Sequence, residues 1–271
     1  MSEKAFVFYE QIRKLLGQRA PKIAVILGSG LGGLAQDIEE PLHIEYSSIE
    51  GFPQSTVAGH KGRFIVGKLS GKEVLCMQGR IHLYEGYQAS QIADIIKMFK
   101  LLGIESLIVT NAAGSLHKEM APGSLMLIKD HINLSGFNPL IGPNDERFGP
   151  RFPGMSEIYT PAYRDKLKEL AAKHRIRLHE GVYCMLSGPA FETPAEVKMC
   201  QILGADANGM STVPETITAA YCGIKVLGIS ALTNYCTGIE GGNPSHEETL
   251  STADKASADL TFLVKHFIGE L

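Results

Sequence analysis

The sequence predicts an α/β protein in which a mixed central β-sheet is flanked by helices. Apolar runs recur along the chain and predict strands, while stretches with helical periodicity lie between several of them. Several runs are almost continuously apolar, as strands buried on both faces are. The segment FIVGKLSGKEVLCMQG favours an antiparallel hairpin that turns at Ser70 and Gly71, so the sheet is expected to be mixed.

The predicted elements cover most of the chain. We expect strands at residues 23–27, 64–69, 74–79, 106–111, 125–130, 181–186 and 226–234. We expect helices at residues 4–17, 89–102, 161–174, 194–203, 212–222 and 246–269. A further short helix, LGGLAQDIEE, is expected to end at Pro41, and residues 135–155 form a long loop rich in Pro, Gly and Asn. No change in composition marks a boundary, so residues 1–271 are expected to form one domain.

Composition excludes several classes of partner. Of the 271 residues, 44% are hydrophobic and 20% are charged, and the net charge of −3 comes from mixed signs without a basic stripe. This argues against nucleic acid or a membrane surface as the main partner. The five cysteines are widely spaced with no C-x-x-C pair, which favours reduced thiols over a zinc or redox site. The charged N-terminal helix does not resemble a signal peptide, and we expect a cytoplasmic protein.

A glycine-rich turn follows the first predicted strand. Gly28, Gly30 and Gly33 have the G-x-G-x-x-G spacing that holds a dinucleotide pyrophosphate at a helix N-terminus. The following helix is too short for that fold, and the next run, HIEYSSIEGFP, is a poor buried strand. A smaller anion, bound with help from the Ser29 hydroxyl, fits the segment better. A tight turn with no ligand remains an equal alternative.

The segment QGRIHLYEG places polar side chains on one side of an extended chain. Arg80, His82 and Tyr84 alternate there with the apolar Ile81 and Leu83. A guanidinium beside an imidazole suits an anion, although a solvated strand end gives the same pattern.

Other candidate residues stand where predicted strands or loops meet helices. Phe191 offers an aromatic face on which a flat ring can stack, and the Glu192 carboxylate can accept hydrogen bonds from ring N–H groups. Glu192 is also explained as a residue that merely neighbours a helix cap. Ser211 suits either a helix cap or an anion donor, and the amide of Asn234 suits a purine edge. A lone histidine such as His246 is more often structural. The small-residue turn VTNAAGSL permits close approach of a ligand or simply tight packing.

Taken together, these segments resemble the purine nucleoside phosphorylases of the homotrimeric class. The resemblance rests on GSGLGGLA, GFPQSTVAGHKG, QGRIHLYEGY, VTNAAGSL, DHINLSG, NPLIGPND, RFGPRFPGMS, GPAFETPAE, GMSTVPE and LTN, in this order. It implies a phosphate site made of Ser29, His60, Arg80, His82, the main chain at Ala112, and Ser211. It implies purine contacts from Glu192, Asn234 and Phe191, and ribose contacts from Tyr84, Tyr183, Met210, His246 and a neighbouring subunit's Phe152. Asn234, His82 and Glu192 would be the catalytic residues.

The resemblance also implies the reaction and the assembly. The reaction would be reversible phosphorolysis of purine nucleosides to free base and ribose 1-phosphate, as in purine salvage, with phosphate as co-substrate and neither cofactor nor metal. The active enzyme would be a homotrimer with a phosphorylase-type fold. Because Asn234 can donate to O6, we expect 6-oxopurine nucleosides as substrates. Relatives that act on methylthioadenosine carry Asp at this place.

Alternatives stay open at this point. The first are a xanthosine-preferring phosphorylase and a methylthioadenosine phosphorylase. A nucleotide-binding oxidoreductase and a non-catalytic nucleoside sensor belong to other classes. Two positions depart from the family pattern: Ala190 replaces a common Ser, and Asn208 replaces a small apolar residue. Asn208 would either alter base preference or face away from the pocket, and a modest effect is expected.

Overall fold

The computed structural model describes residues 3–57, 60–242 and 244–271, apart from the side chains of His246, Glu248 and Asp254. Its strands are β1 (Ile23–Ile26), β2 (Glu39–Glu45), β3 (Arg63–Leu69), β4 (Lys72–Gln78), β5 (Ser106–Ser115), β6 (Leu125–Asn133), β7 (Leu178–Met185), β8 (Ala207–Gly209) and β9 (Lys225–Tyr235). Its α-helices are α1 (Glu3–Leu16), α2 (Ala89–Leu101), α3 (Pro161–His174), α4 (Pro194–Ile202), α5 (Val213–Tyr221) and α6 (His246–Gly269). None of the helices in the described part of the chain is long and apolar enough to cross a bilayer.

The strands form one mixed sheet in the order β2-β3-β4-β1-β5-β8-β7-β6-β9. β1 runs parallel to both β4 and β5, whereas the β3–β4 hairpin and the β5–β8 pair are antiparallel. β5 also pairs with β9 in parallel, and β9 pairs with β6. Five strands, β5, β8, β7, β6 and β9, therefore close into a ring, which leaves no free edge at that end of the sheet.

The centre of the sheet is buried on both faces. All four residues of β1 are buried, and successive side chains alternate between two apolar clusters. Ala24 and Ile26 belong to the cluster that includes residues of α1, α2 and α5. Ile23 and Val25 belong to the cluster that includes residues of α3 and α6. This explains why β1 shows a continuous apolar run in the sequence.

Apart from the short helix before Pro41, the predicted helices and strands all form, most with bounds shifted by a few residues or less. The hairpin turn is also confirmed: Leu69 pairs with Lys72, and Ser70 and Gly71 both have positive φ, 51° and 77°. Two consecutive positive φ values are typical of the type I′ turn that joins tightly twisted strands.

The prediction for the glycine-rich turn and its helix was wrong in detail. The segment forms a 3₁₀ helix, Gly32–Asp37, which ends before Pro41. Pro41 lies within β2, which pairs with β3 alone and so tolerates a residue without an N–H. β2 was missed because it is mostly exposed and charged, and its pairing is irregular near Glu40 (φ 51°). β8 was missed because three residues give no periodic signal.

The start of α4 follows its sequence signal. Thr193 caps the helix: its hydroxyl accepts a hydrogen bond from the Glu196 amide (3.3 Å), and the Glu196 carboxylate accepts one from the Thr193 amide (2.7 Å). Pro194 occupies the first helical position, where its missing N–H costs nothing. This rigid start fixes the end of the loop that carries Phe191 and Glu192.

Candidate active site

A cavity of about 400 Å³ lies at the carboxyl ends of β4, β1, β5 and β9. The residues predicted from the sequence that line it are Ser29, Arg80, His82, Tyr84, Ala112, Phe191, Glu192, Met210, Ser211 and Asn234. They lie in or after six different strands, so only the fold brings them together. The carboxyl ends of parallel strands are the usual place for ligands in α/β proteins.

Arg80 is held in one orientation at one end of the cavity. Its side chain is 2% exposed, and its Nε donates to the Glu215 carboxylate at 2.7 Å. Its Nη1 donates to the Thr110 carbonyl (2.8 Å) and to the Ser211 hydroxyl (3.1 Å). Nη2 has no partner among the residues that the structure describes. The guanidinium thus keeps one buried donor for a ligand, and an anion is the ligand it favours.

Ser211 reaches this end of the cavity through a strained turn. Thr212, at φ 79° and ψ −44°, is the centre of a three-residue turn in which the Val213 amide donates to the Ser211 carbonyl at 2.9 Å. A threonine in this conformation costs on the order of 1–3 kcal/mol and persists only where its surroundings fix it. Here the hydroxyl of Ser211 contacts that of Thr212 (3.1 Å) and receives the Arg80 hydrogen bond.

His82 is fixed by a carboxylate on the side away from the cavity. Its amide and its Nδ1 both contact the same oxygen of Glu85, at 2.8 and 3.0 Å. The other Glu85 oxygen accepts from the amide and hydroxyl of Thr56. Although burial opposes ionisation, hydrogen bonds from His82 and Thr56 hold the pKa of Glu85 at about 2.

The protonation state of His82 follows from these contacts. Burial lowers the pKa of His82, against the opposing effect of Glu85. The ring is therefore neutral at pH 7, with its proton on the Nδ1 that faces the carboxylate. Its Nε2 then carries a lone pair and can accept a hydrogen bond from a hydroxyl group. The ring also stacks on Tyr84, with centroids 4.6 Å apart.

The other end of the cavity carries groups suited to a flat polar ring. Glu192 is 6% exposed and Asn234 is 5% exposed, and both line the cavity. One Glu192 oxygen accepts from the Thr237 amide at 3.2 Å. The Asn234 amide is oriented by its neighbours: Oδ1 accepts from the Thr233 hydroxyl (3.0 Å), and Nδ2 donates to the Tyr235 carbonyl (3.0 Å). Phe191, at 41% exposure, closes this end from the solvent side.

Comparison with known proteins agrees with this arrangement. Residues 22–269 match the model of the Phosphorylase superfamily. Purine nucleoside phosphorylase 1 of Geobacillus stearothermophilus is 48% identical over 97% of each chain. The chain belongs to the purine nucleoside phosphorylases. Two crystal structures of the Schistosoma mansoni enzyme, each 39% identical over 99% of this chain, superpose with TM-scores of 0.93 (adenosine complex, 97% of that chain) and 0.92 (inosine complex, 96%). The α/β fold with a mixed sheet is therefore that of this family.

Two predicted site residues of this phosphorylase, His60 and Tyr183, are not among the residues that line the cavity, but each contacts one that does. The His60 ring contacts the Ser29 hydroxyl through Nε2 (3.0 Å), and its Nδ1 accepts from the Arg80 amide (3.0 Å). Tyr183 is fully buried and accepts from the Ser211 amide through its hydroxyl (3.3 Å). Each ring thus contacts a serine that lines the cavity, and the phosphate contact of His60 and the ribose contact of Tyr183 stay predictions.

Phe152 lies in the long loop, is 88% exposed and is not among the residues that line the cavity. The side chain of His246 lies outside the described residues, so its predicted ribose contact stays a prediction. Ala190 is exposed and is not among the cavity residues, whereas Asn208 is 3% exposed and lines the cavity.

The glycines of the first turn have packing roles. A Cβ on Gly28 would lie 2.6 Å from the Asn111 Cα, and one on Gly33 would lie 3.2 Å from the Ser257 hydroxyl on α6. Gly30 has a φ of 73° and packs against Ala253. The amide of Gly28 donates to the Thr110 hydroxyl (3.1 Å) and is not free for a ligand. Ser29 of this turn lines the cavity, so its hydroxyl is the group that the turn offers to an anion, and anion binding by the turn stays a prediction.

Sequence reasoning missed the two carboxylates that orient the anion end. Glu215 looks like a common acidic residue in the first turn of a helix, yet it is 3% exposed within the buried helix α5. Glu85 follows His82 by three residues, a spacing that signals a capping box when the first residue can act as a cap. That spacing was the sequence signal available for Glu85. For Glu215 the sequence offered no signal of a role in the site beyond the apolar residues around it.

We predict that His60 makes folding stability depend on pH. Burial, then the neighbouring His82, hold the pKa of His60 at about 4, below the usual 6.5. Between pH 4 and pH 6.5 the unfolded chain binds more protons at His60 than the folded protein does. The contribution of neutral His60 to the free energy of unfolding is therefore fully present above pH 6.5 and is lost as the pH falls towards 4. We expect the stability advantage of the parent over His60→Asn to shrink by up to about 3 kcal/mol across this range.

The measurement is urea denaturation of both proteins at a fixed protein concentration from pH 7 to pH 4. A difference between the two that stays constant with pH would show that His60 is not held neutral in the folded protein.

Proposed function

We propose that this protein catalyses the reversible phosphorolysis of 6-oxopurine nucleosides, with inosine and guanosine as substrates. Membership of the purine nucleoside phosphorylases supports the general reaction, in which phosphate replaces the base on the ribose. The observation that carries the proposal is one cavity with two chemically distinct ends. Arg80, Ser211, Ser29 and His82 meet at one end, and Glu192 and Asn234 at the other.

At the anion end, the side chains are arranged to hold phosphate as the nucleophile. Nη2 of Arg80 supplies an unused donor, and the hydroxyls of Ser29 and Ser211 add two more. Neutral His82 accepts a hydrogen bond from a protonated phosphate oxygen or a ribose hydroxyl through Nε2. Holding phosphate and nucleoside in line removes up to roughly 7–11 kcal/mol of the barrier in well-oriented cases. The main chain at Ala112 borders the same space.

At the base end, the side chains stabilise the leaving purine. As the glycosidic bond stretches, the sugar carbon gains positive charge and the purine gains negative charge at N7 and O6. The N–H of Asn234 that is not bonded to the Tyr235 carbonyl donates to this edge of the base, and Glu192 accepts from N1–H and from any amine at C2. Both groups are buried and already oriented by the protein, so little reorganisation accompanies the reaction. Phe191 stacks on the base, while Tyr84 and Met210 pack against the ribose.

The preference for 6-oxopurines rests on the donor character of Asn234. A 6-amino group would bring N–H donors against the amide N–H and lose that hydrogen bond. The Schistosoma mansoni enzyme has been solved with inosine and also with adenosine, so binding alone does not separate the two classes. The difference is expected in kcat/KM. Methylthioadenosine is disfavoured as a substrate by the same argument, and xanthosine remains the second candidate.

The assembly and setting follow from the same proposal. Residues 1–271 form one phosphorylase domain that works as a homotrimer, without a metal or an organic cofactor. The exposed Phe152 supports the trimer, because an aromatic ring so open to solvent suits a contact with a neighbouring subunit. The five cysteines are free and buried, and the Sγ atoms of Cys184 and Cys200 lie only 3.8 Å apart without a bond. That arrangement supports a reducing, cytoplasmic setting.

The reaction is tested with inosine in the presence and absence of phosphate, following release of hypoxanthine. We expect release only with phosphate, together with ribose 1-phosphate in equal amount. Release without phosphate would indicate a hydrolase, and binding of inosine with no release in either condition would indicate a sensor. Tight binding of a nicotinamide cofactor, followed by its fluorescence, would support an oxidoreductase.

We predict that Asn234→Asp moves the preference towards 6-aminopurine nucleosides. Replacing the donor by an acceptor favours an amino group at C6, so the ratio of kcat/KM for adenosine to that for inosine should rise about tenfold or more. Asn138→Asp is the matched control, since Asn138 is exposed and lies outside the cavity. Equal ratios in the parent and Asn234→Asp would remove Asn234 from base recognition.

We predict that Phe152 completes the site of a neighbouring subunit. Phe152→Ala and Asn234→Ala should each lose most activity when purified alone. In mixed trimers made by co-expression, some sites combine an intact Asn234 with a neighbour's intact Phe152, so about a quarter of the parental activity should return. If Phe152 served its own subunit, or if the protein were a monomer by sedimentation, mixing would restore nothing.

A further inference from the structure

Asn208 occupies a defined place at the base end of the cavity. It lies in β8 and pairs with Gly114 of β5, while Gly114 pairs on its other side with Asn234 of β9. Side chains of directly paired residues in neighbouring strands project to the same face of a sheet. The two asparagines therefore flank a residue that has no side chain, and both line the cavity.

Gly114 allows these two amides to converge. A Cβ at this position would lie 3.0 Å from Oδ1 of Asn208, 3.1 Å from Nδ2 of Asn234 and 2.7 Å from Sγ of Cys236. All three side chains thus share the small volume above the glycine. An alanine there would push them apart, so the close approach depends on the absence of a side chain.

The hydrogen bonds of Asn208 determine which way its amide faces. Oδ1 accepts from the thiol of Cys236 at 3.1 Å. Burial, reinforced by the nearby Glu192 carboxylate, raises the pKa of Cys236 well above its usual range, so the thiol keeps its proton. With Oδ1 on the thiol, Nδ2 is the other end of the amide, and it has no hydrogen-bond partner in the part of the chain that the structure describes.

A buried amide nitrogen without a partner is uncommon in proteins, because burial removes its hydrogen bonds to water. Asn208 is 3% exposed, and the cavity beside it is where the purine is proposed to bind. Asn234 stands on the other side of Gly114 and is proposed to contact N7 and O6. Asn208 therefore lies on the same side of the cavity as Asn234, and its unpaired Nδ2 offers N–H donors only.

We propose that Asn208 is a second specificity-determining residue, whose Nδ2 donates a hydrogen bond to the 6-oxo group of the purine beside Asn234. This inference rests on the proposed phosphorolysis and specifies its base recognition. Two donors then converge on one carbonyl oxygen, which has two lone pairs to accept them. A 6-amino group would face two donors and lose both bonds, so Asn208 strengthens the discrimination provided by Asn234.

The experiment compares inosine with purine riboside, the same nucleoside without the 6-oxygen, at saturating phosphate. Asn208→Val removes the donor from the position. We expect its kcat/KM for inosine to fall about tenfold, while that for purine riboside stays within about twofold of the parent. Asn208→Asp keeps the shape and replaces donors by acceptors, and it should raise the ratio of kcat/KM for adenosine to that for inosine about tenfold.

Two results would overturn the inference. Equal losses for inosine and purine riboside would show that Asn208 supports the sugar or the fold. A change confined to the ratio of guanosine to inosine would show that the amide contacts the C2 side of the base. If thermal melting shows that Asn208→Val is not folded, the same comparison is made with Asn208→Asp, which then decides between these results.

The same design separates this inference from the proposed function. Absence of phosphate-dependent cleavage in the parent would contradict the proposed function alone. Calorimetric binding of hypoxanthine and of unsubstituted purine to the parent and the folded variant would still test Asn208. Tighter binding of hypoxanthine than of purine that disappears in the variant supports it, and an unchanged preference contradicts it.

Discussion

The buried ion pair between Arg80 and Glu215 is the interaction on which the anion end of the site depends. It joins the segment after β4 to helix α5, and through Nη1 of Arg80 it also contacts Ser211 and the middle of β5 at Thr110. Such a pair gains little net stability against its desolvation, but the loss of one partner leaves an uncompensated charge and costs about 3–5 kcal/mol. Its value here is geometric, since it fixes the guanidinium with Nη2 as the nitrogen that has no hydrogen-bond partner among the described residues.

A shell of neutral rings supports that ion pair. His60 lies between Ser29 and the Arg80 amide, and its ring stacks on that of His82, with centroids 5.3 Å apart. Burial lowers the pKa of both rings. The anion end is therefore built from oriented donors around one neutralised ion pair, and not from an excess of positive charge. This agrees with a net charge of −3 for a protein whose proposed co-substrate is an anion.

The sequence allowed prediction of helices and strands whose apolar residues recur with a clear periodicity, and of polar residues that meet at strand ends. β1 and the Ser70–Gly71 hairpin follow from local chemistry, and the structure has them where expected. Other features depend on tertiary contacts that leave no local signal. The three residues of β8 become a strand only because β5 and β7 lie on either side, and Glu215 is buried only because α5 is. The glycines from Gly28 to Gly33 match a nucleotide-binding pattern, yet their close contacts are with β5 and α6.

The ring of strands β5, β8, β7, β6 and β9 has a consequence for how such an enzyme can change over evolution. Asn208 is held in register from both sides, by Gly114 and by Cys184, so the backbone at this position does not depend on its own side chain. A single nucleotide change in the gene can replace this asparagine by aspartate, serine or threonine. The chemistry offered to the base would then change while the scaffold stayed the same. Substrate preference can therefore change at this position without loss of the folded structure. An evolving enzyme could exchange one purine substrate for another without passing through an unstable variant.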